Sequence, residues 1–136
     1  MTRVRSVSAS RVGTALAALL VVASACWRHR KPAETAALDV PSGEVALHVT
    51  NRNYLDVTVY IVHDGQHTRV GTVTGSSTQV FFFSIRLLGQ GREIELLGDP
   101  IGSPQVARTE RIIVQPGQYI AWTLETDLRR SSVGVY

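Results

Sequence analysis

Apolar and polar positions alternate with a period of two along most of the chain after Gly43. In GEVALHVTN, Val45, Leu47 and Val49 fall on one face and Ala46, His48 and Thr50 on the other, the pattern of a strand with one buried side. YLDVTVYIV is denser in β-branched and aromatic residues, as a strand covered on both faces would be. TRVGTVT, Thr68–Thr74, predicts a third strand, with Gly71 marking a bulge. STQVFFFSI predicts a fourth, and REIELLG a fifth with Ile94 and Leu96 inward and Glu93 and Glu95 outward. Residues 108–115 give a sixth. QYIAWTLET gives a seventh, with Ile120, Trp122 and Leu124 on one face.

The punctuation supports this reading. Asp64-Gly65, Gly75-Ser76, Gly89-Gln90-Gly91 and Pro116-Gly117 fall between the apolar runs, where turns need a positive or preset φ. No stretch after residue 43 carries a helical period. The expectation is an all-β domain over residues 43–130, an antiparallel two-layer β-sandwich of about seven strands, immunoglobulin-like in size. The tail, residues 131–136, is apolar enough at Val133, Val135 and Tyr136 to dock on the sandwich or to add an eighth strand.

The N-terminal part is built differently. MTRVRSVSASR is basic and lacks acidic residues, and Val12–Ala25 is an unbroken run of small and apolar residues. That run is shorter than the roughly 20 residues a helix needs to span a bilayer. It ends in Ala23-Ser24-Ala25, the layout of a secretory signal peptide over residues 1–25. Formal net charge is +3, and the excess lies wholly in Arg3, Arg5 and Arg11. With the leader removed the chain is formally neutral, so no basic footprint for nucleic acid remains.

Cys26, the one cysteine, follows at once. Ala23-Ser24-Ala25-Cys26 resembles the lipobox of bacterial lipoproteins, although Ala23 stands where that family usually has leucine. The resemblance implies cleavage before Cys26, lipid on that residue and anchorage to a membrane, since stable anchoring takes more than one acyl chain. Trp27 rather than Asp follows the cysteine. By the same resemblance that points to an outer membrane, facing the periplasm, where the organism has two membranes. Cleavage at Ala23-x-Ala25 by ordinary signal peptidase is the alternative, and it would leave a secreted or periplasmic soluble chain. Residues 26–42, polar and with two prolines, read as a tether. A single cysteine allows no intrachain disulfide, so the domain must be held by its core. NRNYLDVTVYIVHDGQHTRVGTVTGSSTQVFFF is similar in pattern to small envelope β-sandwich domains of bacterial lipoproteins. It carries no catalytic signature from them.

Few residues suggest chemistry. His63-Asp64-Gly65-Gln66-His67 sits at a hairpin tip. A three-residue loop would set His63 opposite His67, where two imidazoles and Asp64 could hold a metal. A two-residue loop would pair His63 with Gln66 and send the histidines to opposite faces. Ser76 and Ser77 lack a nucleophile elbow and read as a turn. Glu93 and Glu95 read as a solvated face rather than a carboxylate pair. In Phe81-Phe82-Phe83, alternation sends Phe82 to the face opposite its neighbours. If one face meets solvent, Phe82 with Tyr60 or Tyr119 could form a binding patch for protein or sugar. If the facing sheet and the tail cover both faces, no such patch exists. The expectation is a non-enzymatic envelope module without a cofactor, whose partners are the membrane, through lipid on Cys26, and another envelope protein.

Overall fold

The computed structural model describes residues 39–136. The leader, the Cys26 junction and the tether as far as residue 38 lie outside the described residues. The fold is all-β. Nine strands form two sheets: β1 Glu44–Asn51, β2 Val57–His63, β3 Gln66–Val73, β4 Thr78–Ser84, β5 Glu93–Pro100, β6 Ala107–Arg108, β7 Ile112–Ile113, β8 Tyr119–Leu124 and β9 Ser132–Val135. Short 3₁₀ turns occupy Ile85–Leu88 and Leu128–Arg130. Among the described residues no helix is long and apolar enough to cross a membrane.

One sheet has the order β4-β1-β8-β9 and the other β3-β2-β5-β6, with β7 on β5. The expected strands are all present, and two features depart from expectation: the form of the sixth strand and the direction of one pairing. The sixth strand is two short pieces, β6 and β7, on either side of Thr109–Arg111. The tail takes the second of its two expected forms, an added strand, β9, paired antiparallel to β8. The sandwich is not wholly antiparallel, because β1 runs parallel to β8, with Leu47 opposite Ile120 and Val49 opposite Trp122. Period-two alternation is the same in parallel and antiparallel pairs, so local sequence carries no mark of strand direction.

The inward residues are those the alternation selects. Val45, Leu47 and Val49 from β1, Val57, Val59 and Ile61 from β2, Ile94 and Leu96 from β5, and Ile120, Trp122 and Leu124 from β8 are all buried in one cluster. Each such side chain contributes about 1.5–3 kcal/mol on burial. The inferred bulge lies at Gly71. Val59 pairs with Gly71 and Tyr60 with Arg69, which leaves Val70 as the extra residue of β3. The Phe81 ring packs where a Gly71 side chain would be, since a Cβ there would collide with Phe81 Cε1.

Candidate functional site

The hairpin between β2 and β3 closes with two residues. His63 pairs with Gln66 and Val62 with His67, while Asp64 (φ 48°) and Gly65 (φ 77°) form the turn. Two successive positive φ values are the geometry that matches strand twist, and Asp-Gly suits them. The two histidines therefore point to opposite faces, and the metal reading of His63, Asp64 and His67 loses its second imidazole. Among the described residues no three His, Cys, Asp or Glu side chains converge on a metal position.

Each histidine has its own surroundings. The His63 ring lies over Gly91, with Nδ1 2.8 Å from the carbonyl oxygen of Glu93 and Nε2 3.2 Å from the Asp64 carboxylate. It fastens the hairpin tip to β5. His67 stands near Tyr60, with ring centroids 6.5 Å apart. A cleft of about 120 Å³ beside the tip is lined by His63, Asp64, Glu93, Glu95 and Arg111. Its carboxylates are occupied: Glu95 accepts from Arg108 at 3.0 Å and Arg111 at 3.4 Å, and Glu93 lies 3.8 Å from Arg111. Glu93 and Glu95 thus sit on an exposed face, each beside a guanidinium. Ser76 and Ser77 lie in the β3–β4 connection, where Ser77 Oγ donates to the Thr74 carbonyl at 2.7 Å. At the far end of β8, the Asp127 carboxylate accepts from the Arg129 side chain at 3.2 Å and from Gln105 at 3.0 Å. The hydrogen bond from Arg129 holds this carboxyl below its ordinary range.

The aromatic patch divides between the two outer surfaces. Tyr60 lies on the outer face of the β3-β2-β5-β6 sheet, opposite Leu97 and Arg69. Phe82 and Tyr119 lie together on the outer face of the other sheet, each opposite Ala46, one on either side of it. Phe82 is 45% exposed while Phe83 beneath it is buried. The tail does not cover Phe82, because β9 joins β8 at the far side of the sheet from β4.

β9 instead extends the aromatic row. Tyr119 and Tyr136 exchange backbone hydrogen bonds of 3.0 and 2.8 Å, and their rings stand 6.0 Å apart. The Tyr136 ring leans over Gly134, where a Cβ would meet its hydroxyl at 2.8 Å. His48 packs on the other flank of Tyr119, at 5.8 Å between centroids. The row Phe82, Ala46, Tyr119, Tyr136 therefore runs from β4 across β1 and β8 to the residue that follows β9, with Ala46 fully buried between its larger neighbours. Burial, and then the neighbouring Tyr136, raise the Tyr119 phenol above its ordinary value. His48 and Tyr136 were not foreseen in this patch, because membership depends on which strands are neighbours. A row of aromatic and small residues on an outer sheet face offers a contact surface for another apolar surface or a sugar ring.

No family model matches the chain, and no curated protein matches it. Among solved structures, an NMR structure of a protein from Eubacterium rectale is similar, with 15% sequence identity and a TM-score of 0.42 over 69% of this chain and 87% of that one.

Proposed function

We propose that this protein is an exported, lipid-anchored module of the bacterial cell envelope that acts by binding and catalyses no reaction. The observation that carries the reading is the junction Ala23-Ser24-Ala25-Cys26, placed directly after a basic segment and a short apolar run. The reading makes residues 1–25 a signal peptide and Cys26 the lipid-bearing first residue of the mature chain. Residues 26–42 then become the tether, and Trp27 favours the outer membrane over retention at the inner one. The binding part of the reading rests on the outer-face row of Phe82, Tyr119 and Tyr136, which suits another envelope protein. Immunoglobulin-like describes the size and two-layer build. In the wiring the first strand lies between β4 and β8.

Metabolic labelling with an alkyne analogue of palmitate tests the anchor. Wild type is expected to take up label and to sediment with membranes, while Cys26→Ser is unlabelled and stays soluble. An exported wild-type chain that carries no label overturns the anchor and leaves the secreted form.

A further inference from the structure

Edge strands expose unpaired N–H and C=O groups, and proteins blunt them with charge, proline, bulges or brevity. Three edges here are guarded in that way. β3 carries His67, Arg69 and the bulge at Val70-Gly71. β6 and β7 are 2 residues each, and β9 is 4 residues with Gly134 inside it. β4 has none of these devices. Thr78–Ser84, TQVFFFS, is 7 residues long, uncharged and without proline, and it pairs with β1 without a register shift. Among the described residues no strand pairs with its other side.

The phase of the β1–β4 ladder identifies the free groups. Asn51 N donates to Ser77 O at 2.8 Å, and Ile85 N donates to Gly43 O at 3.0 Å. Hydrogen-bonded pairs alternate along an antiparallel ladder. Counted inward from both ends, Gln79, Phe81 and Phe83 bond to β1, and Thr78, Val80, Phe82 and Ser84 turn their backbone groups to the open edge. Residues 78–82 are all exposed or half-buried.

We propose that this edge receives a second copy of the chain, β4 against β4, antiparallel about a two-fold axis at Phe81. In that register all four outward residues find partners: Thr78 faces the second copy's Ser84, Val80 faces its Phe82, and the converse pairs follow. The self-complementarity of the strand argues for a second copy. A two-fold interface sets each residue against its counterpart's surroundings, so a charged strand would oppose like charges, and β4 has no charge to oppose. On the outer face the pairing sets Phe82 on Val80, an aromatic on a β-branched residue, which is a stabilising cross-strand combination. On the inner face Phe81 meets Phe81. A charged peptide would find no counter-charge on this strand. Joining the copies makes one continuous sheet, and the two aromatic rows become one surface.

The test is the mass of the full chain in detergent, under reducing conditions so that Cys26 cannot bridge two copies. Co-purification of two differently tagged copies provides a second readout. Wild type is expected at twice the monomer mass. Val80→Pro removes an outward N–H and leaves the β1 ladder bonded, and Phe82→Lys adds a charge at an exposed position. Each is expected to weaken self-association by at least about tenfold, equivalent to about 1.4 kcal/mol, with an unchanged circular dichroism spectrum. A wild type that stays monomeric at all concentrations overturns the proposal, as does a dimer that survives both substitutions. Capture of a different polypeptide on the β4 edge by a monomeric wild type also overturns it. The readout does not depend on lipid, so it separates this proposal from the anchor.

Discussion

The backbone N–H of Asn53 donates to the side-chain carbonyl of Asn51 at 3.0 Å, and through this pair three segments are tied together at one end of the sandwich. Asn51 Nδ2 donates to the carbonyls of Leu55, Val73 and Thr74 at 2.8, 3.3 and 3.2 Å. Asn53 Nδ2 reaches Thr126 O at 2.8 Å, and its Oδ1 accepts from Leu55 N at 3.0 Å. Both side chains are buried. They satisfy the backbone of a loop that has no ladder of its own.

Asn51→Ala leaves Asn53 N without its acceptor and takes one donor from the carbonyls of Leu55, Val73 and Thr74, of which Thr74 keeps the Ser77 hydroxyl. Unpaired buried groups each cost about 1–3 kcal/mol. The variant is expected to lose about 2–4 kcal/mol, read as a lower urea midpoint with an unchanged m value.

Gly98 faces Trp122 across the core. A Cβ there would lie 3.1 Å from Trp122 Cη2 and 3.1 Å from Val57 Cγ1. The large ring and the missing side chain fit one another. Gly98→Ala is expected to cost about 1–3 kcal/mol by overpacking. It should also shift the tryptophan emission, since Trp122 is almost fully buried.

Turn chemistry at the β2–β3 hairpin can be tested in both directions. Gly65 has φ 77°, so Gly65→Ala places a Cβ in the left-handed region and should cost about 1–2 kcal/mol. Asp64→Asn keeps a residue that tolerates the positive φ at that position and should stay within about 0.5 kcal/mol of wild type. Thermal melts of the two variants check the contrast.

Tyr119 gives an alkaline prediction. Burial first, and then Tyr136, place its phenol above the ordinary 10.0. The folded state thus disfavours the phenolate more than the unfolded state does. The stabilising contribution is complete below the unfolded value and is lost as pH rises through the folded one. Stability should therefore fall on the alkaline side of about pH 10. In an absorbance titration, Tyr119→Phe is expected to remove a tyrosine that ionises above the ordinary value. Tyr136→Phe is expected to move the Tyr119 midpoint down while burial still keeps it raised.

Much of the fold was legible in the chain, because each strand with one buried face writes its alternation directly. Ile94 and Leu96 turn inward and Glu93 and Glu95 outward as that alternation requires. Gly71 marks its bulge because only a residue without a side chain leaves room for Phe81. The parallel β1–β8 pairing was not legible, and the site was hidden for the same reason. Tyr60 and Tyr119 have similar neighbours in sequence, yet one faces outward from each sheet, and only strand order places Tyr119 beside Phe82 and Tyr136. The hairpin histidines turned on one residue of loop length, which changes the face every side chain occupies.

The interior position of β1 sets a timetable for synthesis. Among the described residues β1 is the first strand made, and β8, which closes its second side, is the eighth. A nascent chain can pair β1 with β4 but cannot seal it until residues 119–124 have left the ribosome. Until then Leu47 and Val49 lack their partners Ile120 and Trp122, and the core lacks its largest side chain. Such distant pairing is slow to form. On this topology the sheet around β1 closes only when almost all of the chain has been made.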